Sequence, residues 1–412
     1  MAVSARTLLA FFGSLLLGYV VILLCILTGY PGHSSSSSGG LRASPSNSVI
    51  ESLKGTIESQ NNLIVTLEEE LISLRKEKQT LLGNAALIKK KDKQLAPTSA
   101  RVQGLVVLGM HRSGTSVLGG LINKMGLKTG GPLIQPGEDN SKGFFERIDV
   151  VLQNDYLMKL QKVHYGSRTE AFDTATGLHH ALVGLHGGGK TQDDNGKDGA
   201  YIESNFFNEG KRALKFLNDE TNYPWMLKDP RLCITLRTWL PLLNAIPAVL
   251  FTYRHPMDVA RSLHKRYELY PMGKGLRLWY VYNRRAVQQS RDLCRVVTSH
   301  KKIMEMPMTE LRRIREELKN KCNMVVPRDL PEAEVSEFVD VKLEHGHNDR
   351  TDHSCEQDHS SLVPPKEQWS DPDPEQLRLY REVMRVYCAM ESGEAFKEGF
   401  QFDTNVKDTN TH

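Results

Sequence analysis

Cysteine is scarce in this chain and never arranged as CxxC. Six residues, Cys25, Cys233, Cys294, Cys322, Cys355 and Cys388, are scattered over 412 positions, which excludes a small disulfide-scaffold protein. Cys25 lies in an apolar segment, so the other five leave at least one thiol unpaired in an oxidising compartment; the pairing is not legible. Net charge is also small: 53 basic against 49 acidic residues give +4, interleaved rather than gathered in a stripe. That excludes a nucleic-acid binder. No Asn-x-Ser/Thr acceptor occurs, so N-glycosylation is not expected. No internal repeat is visible. What remains is an ordinary hydrophobic share of 40% with 25% charged residues, enough for a packed catalytic domain with attachments.

The first attachment is a membrane anchor. Leu8 to Leu27 carries no charge, about the length a helix needs to cross the hydrocarbon core. The apolar stretch runs on into Gly29-Tyr30-Pro31, longer than a cleavable signal peptide, which is the competing reading. Arg6 is the only basic residue before it, and none follows until Arg42. The positive flank, residues 1–7, therefore stays cytosolic, 8–28 spans, and the rest is lumenal. Residues 29–100 form a stem. Its start is rich in Ser, Gly and Pro and cannot fold. From Ile50, the series Leu53, Ile57, Gln60, Ile64, Leu67, Leu71, Leu74, Lys78 and Leu81 alternates spacings of three and four. That seam predicts a coiled coil over 50–82 and a homodimer through it, against a single solvated helix as the alternative.

The catalytic domain, 101–402, opens with the apolar run Gly104 to Gly109, read as a buried parallel strand. Gly109-Met110-His111-Arg112-Ser113-Gly114-Thr115-Ser116 follows, then a helical pattern through Met125. Strand, glycine-rich turn and helix aim backbone amides at a phosphate. The spacing is that of GxxxxGK[ST], but Thr115 stands where a nucleoside triphosphatase carries lysine. A loop supplying Arg112 and the hydroxyls of Ser113, Thr115 and Ser116 suits a phosphate joined to a sulfate. His111 is read as shaping the turn through a hydrogen bond. A second match, Gly184 to Thr191, fits the motif letter for letter. No apolar-faced helix follows it and no core strand precedes it, so 167–199 is read as a flexible surface insertion.

Ala248 to Tyr253 is another apolar strand, ending in Arg254-His255-Pro256-Met257-Asp258-Val259-Ala260-Arg261-Ser262. Pro256 suits the first position of a helix. Arg254 at the strand end and Ser262 on that helix can grip a second phosphate where open α/β sheets bind ligands. The two segments together resemble the paired signatures of the sulfotransferases that use 3′-phosphoadenosine 5′-phosphosulfate (PAPS). The resemblance runs from Leu105 to Phe402 and is strong only at the two signatures. It implies that Arg112, Ser113, Gly114, Thr115 and Ser116 hold the 5′-phosphosulfate, that Arg254 and Ser262 hold the 3′-phosphate, and that no metal is required. Gly-Met-His-Arg-Ser-Gly-Thr-Ser and Lys228-Asp229-Pro230-Arg231 are most similar to a bacterial and algal branch of that family.

The resemblance further implies a glutamate base soon after the first loop, and Glu146 is the candidate, with Asp139, Glu203 and His164 as alternatives. Aromatic neighbours would desolvate its carboxyl. Trp225 to Lys228 reads as a third strand, with Arg231 just beyond it; Lys228 and Arg231 stabilise the bridging oxygen together with Arg112, bind an acidic acceptor, or form an ion pair with Asp229. His345, His347, His353, Cys355 and His359 match no zinc spacing and read as a solvated loop. Leu311, Ile314 and Leu318 give one helix its apolar side, and 374–390 forms another that closes the domain; 403–412 is a disordered tail. The expected fold is an α/β, P-loop-like three-layer domain with a mostly parallel sheet, preceded by the anchor and stem. The expected activity is sulfation of a hydroxyl, first of a carbohydrate, in the Golgi membrane. A tyrosine or a lipid alcohol remains open as acceptor. The rivals are a P-loop kinase or nucleotide triphosphatase, and an inactive membrane-tethered scaffold.

Overall fold

A computed structural model describes residues 102–408, except 138–139, 193–197, 203, 268–269, 340–354, 356–361, 365–368 and 370–371. The expected tail, anchor, stem and coiled coil (1–100) therefore lie outside the described residues, as do Asp139, Glu203 and the histidines of the 345–359 stretch. Among the described residues no helix is long and apolar enough to cross a membrane.

The apolar runs become strands β1 (Gly104–Leu108), β4 (Trp225–Lys228), β5 (Ala248–Tyr253) and β6 (Arg295–Ser299), with the hairpin pair β2 (Gly189–Gln192) and β3 (Asp198–Ile202) apart from them. The four form a parallel sheet in the order β4-β1-β5-β6. β1 and β5 sit at its centre, as their uninterrupted hydrophobicity requires of strands covered on both faces. Alternate residues point to opposite faces. Val106, Leu108, Leu227, Val249 and Phe251 pack into one core with helices α5 (Leu232–Trp239), α6 (Pro256–Arg266), α7 (Met272–Gln289) and α11 (Pro374–Glu391). Leu105, Val107, Met226, Leu250 and Val296 pack into the other with α1 (Thr115–Lys124) and α9 (Pro307–Cys322). The result is three layers. Leu311, Ile314 and Leu318 are the buried side of α9 as expected. α11 starts at a capping box built by Asp373 and Gln376 and buries Leu379, Tyr380, Val383 and Val386.

Two expectations are corrected. Within 167–199, residues Thr174–Leu185 form helix α3, which buries Leu178 and Ala181. Its Gly184 lies so close to the Phe207 ring that a Cβ there would overlap it. The composition is that of a loop, yet Gly177 and Gly184 are buried and let α3 pack closely. The apparent second phosphate motif is thus the end of α3 followed by β2, helix then strand, the reverse of a phosphate loop. At the other end, residues 403–408 are ordered against the domain. Asp408 is buried and accepts from Thr169 N (3.1 Å) and Thr169 Oγ1 (2.5 Å), and Arg284 donates to the Asp403 carbonyl.

Cys294 pairs with Cys322 and Cys355 with Cys388, while Cys233 is a buried thiol. The first bridge ties the entry of β6 to the end of α9. The second removes Cys355 from any metal-ligand set.

Candidate active site

Because the four strands are parallel, their carboxyl ends share one edge, and the polar residues named from sequence collect there. β1 leads into the turn Gly109–Gly114. A Cβ at Gly109 would lie 2.4 Å from the Thr252 carbonyl oxygen, so only glycine lets the loop pass this close to β5. Arg112 and Gly114 adopt positive φ, 65° and 80°, and Ser113 N donates to Met110 O. This curl brings the chain round into α1. Gly114 has no side chain to cap the first amides of α1, which leaves them to an anion.

Inside the loop two buried polar atoms have no hydrogen-bond partner among the described residues, Ser113 Oγ and His111 Nε2. A fully buried serine hydroxyl without a partner is costly unless a ligand completes it. These donors, with Arg112 beside them and no lysine, fit a phosphosulfate. The turn-shaping hydrogen bond expected of the His111 ring is not found among the described residues. Its ring packs instead against Tyr165 (centroids 4.5 Å) and Tyr282 (5.3 Å). Burial, then Arg112 and the other cations around it, push its pKa down to about 3, so it is neutral at physiological pH.

The two phosphate anchors meet. Arg112 Nε donates to Ser262 Oγ at 2.8 Å, across 150 positions of sequence. α6 begins at Pro256, buries Val259 and Leu263, and turns Ser262 toward the loop. Arg254, just past β5, lies 3.5 Å from Asp258 Oδ2, and Arg261 donates to Asp258 Oδ1 at 2.5 Å. Burial pushes the Asp258 carboxyl up, but Arg254, His255 and Arg261 outweigh it and hold it below the usual range.

On the other flank, Lys228 at the end of β4 reaches both Ser116 Oγ (3.2 Å) and Glu146 Oε1 (2.5 Å). The Lys228 and Glu146 side chains are buried, 1% and 9% exposed. The Glu146 carbonyl accepts from Ile134 N, fixing the strap that carries it. Burial raises the Glu146 carboxyl above its ordinary value against the pull of Lys228. Of the alternatives expected from sequence, His164 is exposed. Arg231 forms the expected pair with Asp229 (3.0 Å), plus a second with Asp155 (2.5 Å), and stands 4.0 Å from Glu146 Oε2.

Several supporting residues carried no local signal. Asn154 donates to Asp229 and accepts from Thr235 and Trp239 Nε1, which locks the turn after β4. Tyr165 lies under the Arg231 guanidinium at 4.4 Å, and His300 packs against Gly114. Their partners lie far off in sequence, so no motif records them.

No protein-family model and no curated protein matches the chain. Solved structures do align with it. One is the sulfotransferase domain from the Synechococcus PCC 7002 olefin synthase, 15% identical over 71% of this chain and 96% of that one, TM-score 0.33. Another is the sulfotransferase STF9 from Mycobacterium avium, 16% identical over 77% and 82%, TM-score 0.34. A third is retinol dehydratase in complex with androsterone and inactive cofactor PAP, 10% identical over 73% and 82%, TM-score 0.28. At 10–16% identity these alignments assign no residue a role.

Proposed function

We propose that this chain is a sulfotransferase that moves a sulfuryl group from PAPS to a hydroxyl, first of a carbohydrate. The observation that carries the reading is the 2.8 Å contact of Arg112 with Ser262. It joins the loop suited to a phosphosulfate and the Arg254–Ser262 grip suited to a second phosphate into one site. A donor bearing a 5′-phosphosulfate and a 3′-phosphate would span the two. Such a donor supplies an activated sulfuryl group on a phosphate leaving group.

The residues divide the work accordingly. Arg112, Ser113, Thr115, Ser116 and the first amides of α1 hold the phosphosulfate end. Arg254 and Ser262 hold the 3′ end. Glu146 takes the proton of the acceptor hydroxyl, a step for which its raised, desolvated carboxyl is suited. Lys228 bridges Glu146 and Ser116 and so places a cation where negative charge grows on the leaving oxygen. Arginine and lysine supply the positive charge that Mg²⁺ gives a triphosphate site. Two disulfides and the apolar 8–28 segment support an anchored enzyme with its domain in an oxidising lumen such as the Golgi. The stem would dimerise it.

The test is thermal unfolding of the full chain in detergent with adenosine 3′,5′-bisphosphate, compared with ATP and Mg²⁺. The reading expects the bisphosphate alone to raise Tm. A response confined to ATP with Mg²⁺ would return the loop to the nucleotide triphosphatases.

A further inference from the structure

Resting on the sulfotransferase reading above, we infer that Lys142, Phe145 and Phe338 are positioning residues for the candidate base, a latch that holds the strap bearing Glu146 against α1. The strap approaches Glu146 through a tight turn. Asn140 Nδ2 donates to Gly143 O at 2.7 Å and Gly143 N to Asn140 O at 3.1 Å, and Gly143 takes φ 94°. Two residues on, Phe145 has φ 58°. A bulky side chain seldom takes this left-handed conformation, and such strain persists only where surrounding contacts hold it. Here it falls on the residue next to the carboxyl.

The contacts come from α1 and from α10 (Glu332–Phe338). A Cβ at Gly120 of α1 would overlap the Phe338 ring and lie 2.7 Å from Phe145 Cε2, so glycine lets both rings reach the helix. The rings meet edge to face, centroids 6.1 Å apart, a favourable aromatic geometry. A Cβ at Gly119 would stand 3.5 Å from both Phe145 Cβ and Lys228 Cγ. The latch and the lysine that binds Glu146 thus pack on one spot of α1. Lys142 closes the arrangement. Its Nζ donates to Glu337 O at 2.8 Å and Phe338 O at 2.7 Å, carbonyls left open at the end of α10, and lies 5.6 Å from the Phe338 centroid. α10 is anchored in turn by Val335 and Val339, buried in the core that also holds Leu121 and Ile122 of α1. Packing alone would require neither the strained backbone beside the carboxyl nor the lysine across the rings. Held this way, Glu146 stays out of water and against Lys228; a released strap would let it reach solvent.

A double-variant cycle of thermal melts at pH 8, on the full chain in detergent, tests the latch. Lys228→Met strands the Glu146 charge only while the strap is held. In a Phe338→Ala or Lys142→Met background, Lys228→Met should therefore cost less than half the fall in Tm that it causes alone. Lys142→Arg keeps a donor for both carbonyls and should restore the full fall. If Phe338→Ala does not fold, Lys142→Met carries the cycle. The same proteins are assayed for sulfuryl transfer from PAPS to water, which yields sulfate and the bisphosphate, with the proton passing to Glu146. In Lys142→Met kcat should drop about ten- to a hundredfold at unchanged KM for PAPS, and Lys142→Arg should recover it. Additive falls in Tm, or a kcat unchanged in Lys142→Met, would overturn the latch. So would a wild type that binds the bisphosphate but releases sulfate no faster than Glu146→Gln. A wild type that does not bind the bisphosphate removes the sulfotransferase reading itself, and the catalytic purpose of the latch with it; binding with additive melts removes the latch alone.

Discussion

Replacing Lys228 with Met tests the central pair of the site by its energetics. Lys228 Nζ and Glu146 Oε1 are 2.5 Å apart with almost no solvent at either side chain. Removing one member of a buried pair leaves the other charge uncompensated, which costs about 3–5 kcal/mol. At roughly 2 °C per kcal/mol for a domain of this size, Tm should fall by about 6–10 °C. The loss should depend on pH in a fixed direction. Glu146 already lies above its ordinary 4.5 through burial, with Lys228 pulling it down; without Lys228 it rises further. A carboxyl raised in the folded state contributes stability that is fully present below its unfolded pKa and lost as pH rises through the folded value. The deficit of Lys228→Met against the wild type should therefore be small at pH 5 and largest at pH 8. Glu146→Gln added to Lys228→Met removes the stranded charge and should recover most of the loss at pH 8. Thermal melts of the wild type and the two variants across this range decide it. A deficit equal at both pH values, or a double variant no better than the single one at pH 8, would refute the reasoning.

Ser262→Ala removes the acceptor of the Arg112 bond and should weaken adenosine 3′,5′-bisphosphate by roughly tenfold with little change in Tm, measured by calorimetry. Gly114→Ala places a side chain at φ 80° and a Cβ 2.3 Å from His300 Cδ2. Strain of about 1–3 kcal/mol is expected, and the bisphosphate shift should vanish even below the lowered Tm; full retention of binding would contradict the role given to this turn.

The architecture was legible where the chemistry is local. The runs before Gly109 and Arg254 are apolar without interruption, and a strand buried on both faces must be so. The two loops could each be read because glycine, arginine and hydroxyl residues cluster within a few positions. What escaped was contact at long range. β6 (Arg295–Ser299) alternates half-buried and buried residues and gave no strong run. His111 stacks on tyrosines from two distant segments instead of bonding within its turn, a choice set by tertiary packing. α3 has the composition of a loop, although its Gly177 and Gly184 lie in the buried face. The tail beyond 402 was read as disordered, because the partner of Asp408 is Thr169, more than half the chain away. The sequence points to Glu146 but offers Asp229, the immediate neighbour, as the partner of Lys228, whereas the fold pairs that lysine with Glu146.

The measurement that bears most directly on the account is calorimetric binding of adenosine 3′,5′-bisphosphate to the full chain without Mg²⁺, in the wild type and in Arg254→Ala. The account predicts binding by the wild type that Mg²⁺ does not improve and that Arg254→Ala weakens by at least about tenfold, as expected for losing a charged phosphate contact. No binding of the bisphosphate, or binding that Arg254→Ala leaves unchanged, would contradict it.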